Sequence, residues 1–114
     1  MRTLFFETTT FTATVGHYLT DDEYHLLQFY MQQHPEAGDV MPRTGGFRKL
    51  RWFDDRRGKG KRGGLRVIYY WLRHDRQFWM FAIYDKDELE NLTSEQEKTL
   101  KRAIEAELKV RGTL

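Results

Sequence analysis

The segment RRGKGKRGGLR, Arg56 to Arg66, places six cations and four glycines in eleven residues, with no acid among them. Guanidinium and ammonium groups at this density do one kind of chemistry well: they bind phosphate. Gly58, Gly60, Gly63 and Gly64 remove side chains and let the backbone come close to a ligand. Lys59, Lys61 and Arg62 stand between them with the reach to touch phosphates. A flexible hairpin link is the competing reading of the same glycines. The stretch lacks the GxxxxGK[ST] spacing of a nucleotide-binding P-loop.

Two more cations belong with it. In FRKLRWF, Lys49 and Arg51 are two residues apart, so on a strand they project from one face. If the following strand pairs antiparallel, Arg66 at its head lies beside them. The set would form a cationic concave surface; the competing reading is the wet face of an antiparallel sheet. Nine aromatics crowd the same region: Trp52, Phe53, Tyr69, Tyr70, Trp71, Phe78, Trp79, Phe81 and Tyr84. Most are needed for a core. Tyr84, at the end of a strand, is the one best placed to stack on an unpaired base.

Other chemistries find little support. There is no cysteine, hence no thiolate nucleophile and no disulfide. His17, His25, His34 and His74 have no metal-ligand spacing, and HExxH is absent. Asp21, Asp22 and Glu23 suit a helix start, and a divalent site at Asp85, Asp87 and Glu88 is a minor alternative. No metal and no cofactor is expected.

The charge distribution points the same way. The net charge is +2, yet Arg43 to Arg66 holds ten basic residues against Asp54 and Asp55, a net +8 that leaves −6 for the rest. A basic patch on a mildly acidic body suits a polyanionic partner. No apolar run approaches the ~18 residues of a membrane span. The N-terminal MRTLFFETTT lacks the basic and long apolar regions of a signal peptide. The expectation is a cytoplasmic protein with no membrane association.

These residues need a scaffold, and the pattern supplies one. TLFFE (Thr3–Glu7) reads as a strand. TTTFTATVGHYL is ambiguous, since Thr and Val disfavour helix. Thr20 with Glu23 forms a capping box. Leu26, Leu27, Tyr30 and Met31 follow at helical spacing, and Pro35 stops the helix near His34. PEAGDVMPRTGG is a turn-rich connection. Phe47–Phe53, Leu65–Arg73 and Phe78–Asp85 read as three strands, the last apolar at nearly every position and therefore central. Thr93 or Ser94 caps a final helix, Ser94 with Glu97 reading as a second capping box, and the helix has one apolar stripe, Leu100, Ala103, Ile104 and Leu108. The expected fold is α+β: a single domain over 1–114, with a small antiparallel-rich sheet (an N-terminal strand plus a three-strand meander) and helices packed on one face.

The motifs GDVMPRTGGFRKLRW, GKGKRGGLRVIYYWL and FAIYDKDELENLTSEQ, spread over roughly Tyr24 to Leu108, together resemble the RelE/ParE superfamily of type II toxins, most closely its HigB-like, RelE-type branch. The resemblance implies a ribosome-dependent endoribonuclease that cuts mRNA in the A site without metal. Its partners would be the ribosome, mRNA and a cognate antitoxin, encoded adjacently and often carrying a helix-turn-helix. Carried over by position, the paired lysines of the first core strand match Lys49 and Arg51, the arginine opening the next strand matches Arg66, and the lysine after the last strand matches Lys86. The arginine that follows this lysine in RelE proper is Asp87 here, and the C-terminal stacking tyrosine has no counterpart near Leu92 and Thr93. Lys61 and Arg62 would then join the catalytic set. Arg48, Arg56, Arg57, Lys59 and Tyr84 would contact RNA. Three rival functions share these features: a ParE-like inhibitor of DNA gyrase, a non-catalytic nucleic-acid-binding module, and, given Asp87, a degenerate toxin kept only for antitoxin binding.

Overall fold

The computed structural model describes residues 2–56, 60–88 and 91–112, with backbone alone at 60–63. The described chain is α+β. Strand β1 (Leu4–Glu7) is followed by helices α1 (Thr9–Tyr18) and α2 (Asp21–Gln33) and by a two-residue strand β2 (Asp39–Val40). Then come β3 (Arg48–Asp54), β4 (Gly60–Leu72), β5 (Gln77–Asp85) and helix α3 (Ser94–Val110). They form one five-stranded sheet in the order β1-β5-β4-β3-β2. β3, β4 and β5 are the expected antiparallel meander, whereas β1 runs parallel to β5. Among the described residues no helix is long and apolar enough to cross a membrane.

The helices divide between the two faces, and this corrects the expectation of a single helical face. Leu65, Val67 and Tyr69 of β4 point to one side, where Phe11 and Tyr18 of α1 and Leu27 and Met31 of α2 cover them. Ile68 and Leu72 point to the other side and pack with Ile104 of α3 and with Phe47 and Tyr84. The reason lies in the strands: β4 and β5 are apolar at both parities, so each face must be covered. Residue Phe81 is a bulge between the pairs Ile68–Ala82 and Tyr69–Met80. It lets the consecutive Phe81 and Ala82 both pack in the second core.

Capping fixes where the helices start. Thr8 resolves the ambiguity of its stretch: its hydroxyl accepts the Phe11 N–H and donates to the carbonyl of Phe81, tying α1 to the bulge. Phe11, Val15 and Tyr18 then fall on one side of α1, toward the first core. The Thr20–Glu23 box forms as read. On α3 the cap is Thr93 with Gln96 closing the box, one residue ahead of the expected Ser94–Glu97 box, because the Thr93 hydroxyl accepts the Gln96 N–H. Only part of the apolar pattern of α2 is buried: Leu27 and Met31 are covered, while Leu26 and Tyr30 face outward.

The connection from α2 to β3 is held by one phenol. Tyr69 Oη donates to the Pro35 carbonyl (2.7 Å) and accepts the Gly38 N–H (3.1 Å). A Cβ at Gly38 would lie 3.0 Å from the Tyr69 ring and 3.1 Å from the Lys49 backbone, so a side chain there fits only if its neighbours shift. Tyr69→Phe is expected to cost about 2 kcal/mol, because it strands a buried amide and a carbonyl. Urea denaturation of the variant against wild type measures this.

Candidate nucleic-acid interface

The sheet register brings the cations together. Arg51 on β3 lies directly opposite Arg66 on β4, which lies directly opposite Tyr84 on β5. The next row on the same face is Lys49, Ile68 and Ala82. On the other side of the Arg66 row, the Lys86 N–H donates to the Gly64 carbonyl (3.0 Å), so the ladder carries Lys86 past the end of β5. Neighbouring strands are ~4.8 Å apart, and same-face neighbours along a strand are ~6.5–7 Å apart. Lys49, Arg51 and Arg66 therefore occupy adjoining positions on the face that carries α3. Arg51 and Lys86 are exposed, and Lys49 and Arg66 are half-buried. Among the described residues neither Lys49 nor Arg51 makes an ion pair. Arg51 and Arg66 stand directly opposite each other in the register, which gathers two cationic residues on one patch of this face.

Lys49 also lines a recess of about 240 Å³ between β2, β3 and the approach to α3, with Asp39, Met41, Asn91, Leu92 and Glu97 on its walls. Arg43, at its rim, is held by a two-pronged ion pair to Glu97 (3.0 and 3.2 Å). That pair raises the Arg43 pKa and keeps the cation fixed beside the recess.

Three residues expected to touch RNA have side chains that pack or bond within the fold. Arg48 lies on the opposite face, because strand side chains alternate. It donates to the carbonyls of Glu36 and Gly38 and pairs with the Glu36 carboxylate. Arg56 is an internal anchor. Its guanidinium makes two bonds to Asp54 (3.1 and 3.0 Å) and one to Asp85 (3.2 Å), and it sits 4.6 Å from the centre of the Tyr18 ring. These contacts to Asp54 and Asp85 raise its pKa. Tyr84 is only 7 % exposed and its ring belongs to the second core, so no ring face is presented for stacking.

The basic segment itself differs from the expected loop. From Gly60 onward its backbone is already strand β4, which places Lys61 and Arg62 on the ladder ahead of Arg66. Arg57 and Lys59 lie outside the described residues, as do the side chains of Lys61 and Arg62.

The acids that organise this end were not foreseen as a unit. Asp54 and Asp85 are both fully buried, and each accepts from Arg56. Asp85 also accepts the Asp87 N–H (2.8 Å), and Glu88 accepts from Tyr18 Oη (3.0 Å). The alternative of a divalent site at Asp85, Asp87 and Glu88 gains nothing from this arrangement: Asp85 answers an arginine and a backbone amide, and the described residues contain no cluster of metal-ligating side chains. The only sequence signal for the unit was acid at the end of β3, acid at the end of β5 and arginine just beyond β3. No family model matches the chain.

Proposed function

We propose that this protein is the toxin of a type II toxin–antitoxin system, a ribosome-dependent endoribonuclease of the RelE type that cleaves mRNA in the A site. The observation that carries the reading is the juxtaposition of Lys49, Arg51 and Arg66 on adjoining positions of one sheet face, with Lys86 in the row beyond. RNA brings its own nucleophile, the 2′-hydroxyl. Cleavage then needs that oxygen aligned with phosphorus and the leaving 5′-oxygen, together with stabilisation of the charge that builds on the phosphate. Arg66 would grip the phosphate from the centre of the row and Arg51 from its flank; one of Lys49 and Lys86, as the free amine, would take the proton of the 2′-hydroxyl, and the other, as an ammonium, would give a proton to the leaving 5′-oxygen. The recess beside Lys49 would receive a neighbouring nucleotide. A cognate antitoxin would cover this face, and the protein would act in the cytoplasm, where ribosomes are.

Purified protein, ribosomes and mRNA in a primer-extension assay test the reading. Discrete new 5′ ends within the A-site codon are expected. An absence of cuts together with inhibition of DNA gyrase would overturn it in favour of the ParE-like alternative. The charge argument makes a separate prediction. Binding to ribosome-free single-stranded RNA should weaken with salt by ~0.7 in log affinity per log salt for each phosphate contacted. Arg51→Ala should reduce that slope by about one contact, and an unchanged slope would remove Arg51 from the interface.

A further inference from the structure

Among the described residues two buried side-chain polar atoms have no hydrogen-bond partner, Gln77 Oε1 and Tyr84 Oη. The other buried tyrosines are satisfied: Tyr69 bonds to Pro35 and Gly38, and Tyr18 to Glu88. A buried phenol with nothing to bond costs stability. A phenylalanine at position 84 would fill the same volume without that cost. The hydroxyl is therefore unexplained by the fold, and its address is informative: Tyr84 stands in the cross-strand row of Arg51 and Arg66. Burial pushes its pKa up and the nearby Arg66 charge pulls it part of the way back, so the group keeps its proton and remains a donor near neutral pH. Arg66, beside it, counts among its contacts a hydrogen bond to the Leu65 carbonyl at 3.2 Å.

We infer that Tyr84 contacts the RNA through its hydroxyl and not through its ring. When Arg66 turns onto a phosphodiester, the phenol beside it is uncovered and donates a hydrogen bond to a non-bridging oxygen of the same phosphate. The inference rests on the nuclease reading and deepens it. No proton is transferred in this contact: the donor is oriented in advance toward the place where charge develops.

Tyr84→Phe tests it, because it removes one oxygen and nothing else. Cleavage of ribosome-bound mRNA should fall by about 10²-fold, the usual effect of deleting one such donor. The melting temperature should stay at or above that of wild type, since an unpaired polar group has been taken out of the interior. Cleavage within twofold of wild type would overturn the inference. So would a melting temperature several degrees lower, which would show that the hydroxyl is bonded inside the fold. Binding to ribosomes programmed with an mRNA that is 2′-deoxy at the cut position keeps the two readings apart. If wild type binds this complex but also leaves the all-ribose mRNA uncut, the nuclease reading fails, while weaker binding by the variant still supports the contact. Equal binding by both proteins would overturn the contact alone.

Discussion

Arg66→Ala is expected to lower ribosome-dependent mRNA cleavage by about 10²–10³-fold while the protein remains folded. Arg66 is the middle member of the row, between Arg51 on one strand and Tyr84 on the other. It is half-buried and stands on a central strand of the sheet, so the backbone that carries its guanidinium is fixed beside the other cations. A planar fork can bond two phosphate oxygens at once, and an ammonium group cannot. Arg66→Lys should therefore recover only part of the lost rate. Arg66 is only half-buried and its position on β4 is held by backbone pairing to both β3 and β5, so the fold should tolerate the change. Mapping mRNA 5′ ends after induced expression, with circular dichroism of the purified variants, decides the matter. A folded Arg66→Ala that cuts normally would place the chemistry elsewhere.

Strand parity made much of this site legible in the sequence. Lys49 and Arg51 share a face because they are two apart, and the meander puts Arg66 opposite Arg51 without any long-range information. The same parity rule sends Arg48 to the other face, where it closes the Glu36–Gly38 turn; three adjacent cations in the RKLR stretch thus have two different jobs. What the sequence hid was register and burial. The glycines around Lys59 and Lys61 suggested loop, yet glycine is only a weak strand former, and a neighbouring strand with a matching ladder can carry the pairing through to Gly60. Thr8–Tyr18 looked undecided by propensity, and the cap at Thr8 with three inward positions a turn apart settled it as helix. Tyr84 ended a strand and so looked exposed, but its ring joins the second core and is only 7 % exposed. Helices on both faces followed from apolar residues at both parities of β4 and β5, a pattern that one covered face cannot accommodate.

The largest effect on stability should come from Arg56. Asp54 closes β3 and Asp85 closes β5, both are 0 % exposed, and the Arg56 guanidinium bridges them. Burying two carboxylates is tolerable only because the cation and its hydrogen bonds compensate for lost water. The backbone contributes as well: the Arg56 N–H donates to Asp54 (3.2 Å), and Tyr18 of α1 offers its ring face to the guanidinium. The cluster thus joins the ends of two strands to the first helix at the root of the β3–β4 connection. Arg56→Ala should destabilise the protein by about 3 kcal/mol, the cost of leaving buried carboxylates short of their counter-charge. Arg56→Lys should recover only a fraction, because an ammonium cannot place two bonds on Asp54 and a third on Asp85 while lying flat on Tyr18. Guanidinium denaturation monitored by tryptophan fluorescence measures both. A loss under 1 kcal/mol in Arg56→Ala would mean that the fold does not depend on this bridge, and Arg56 would return to the group of cations available to RNA. A large loss would instead explain why one arginine of the basic segment points inward: it holds the end of the sheet in register so that Arg51, Arg66 and Lys86 keep their places on the ladder.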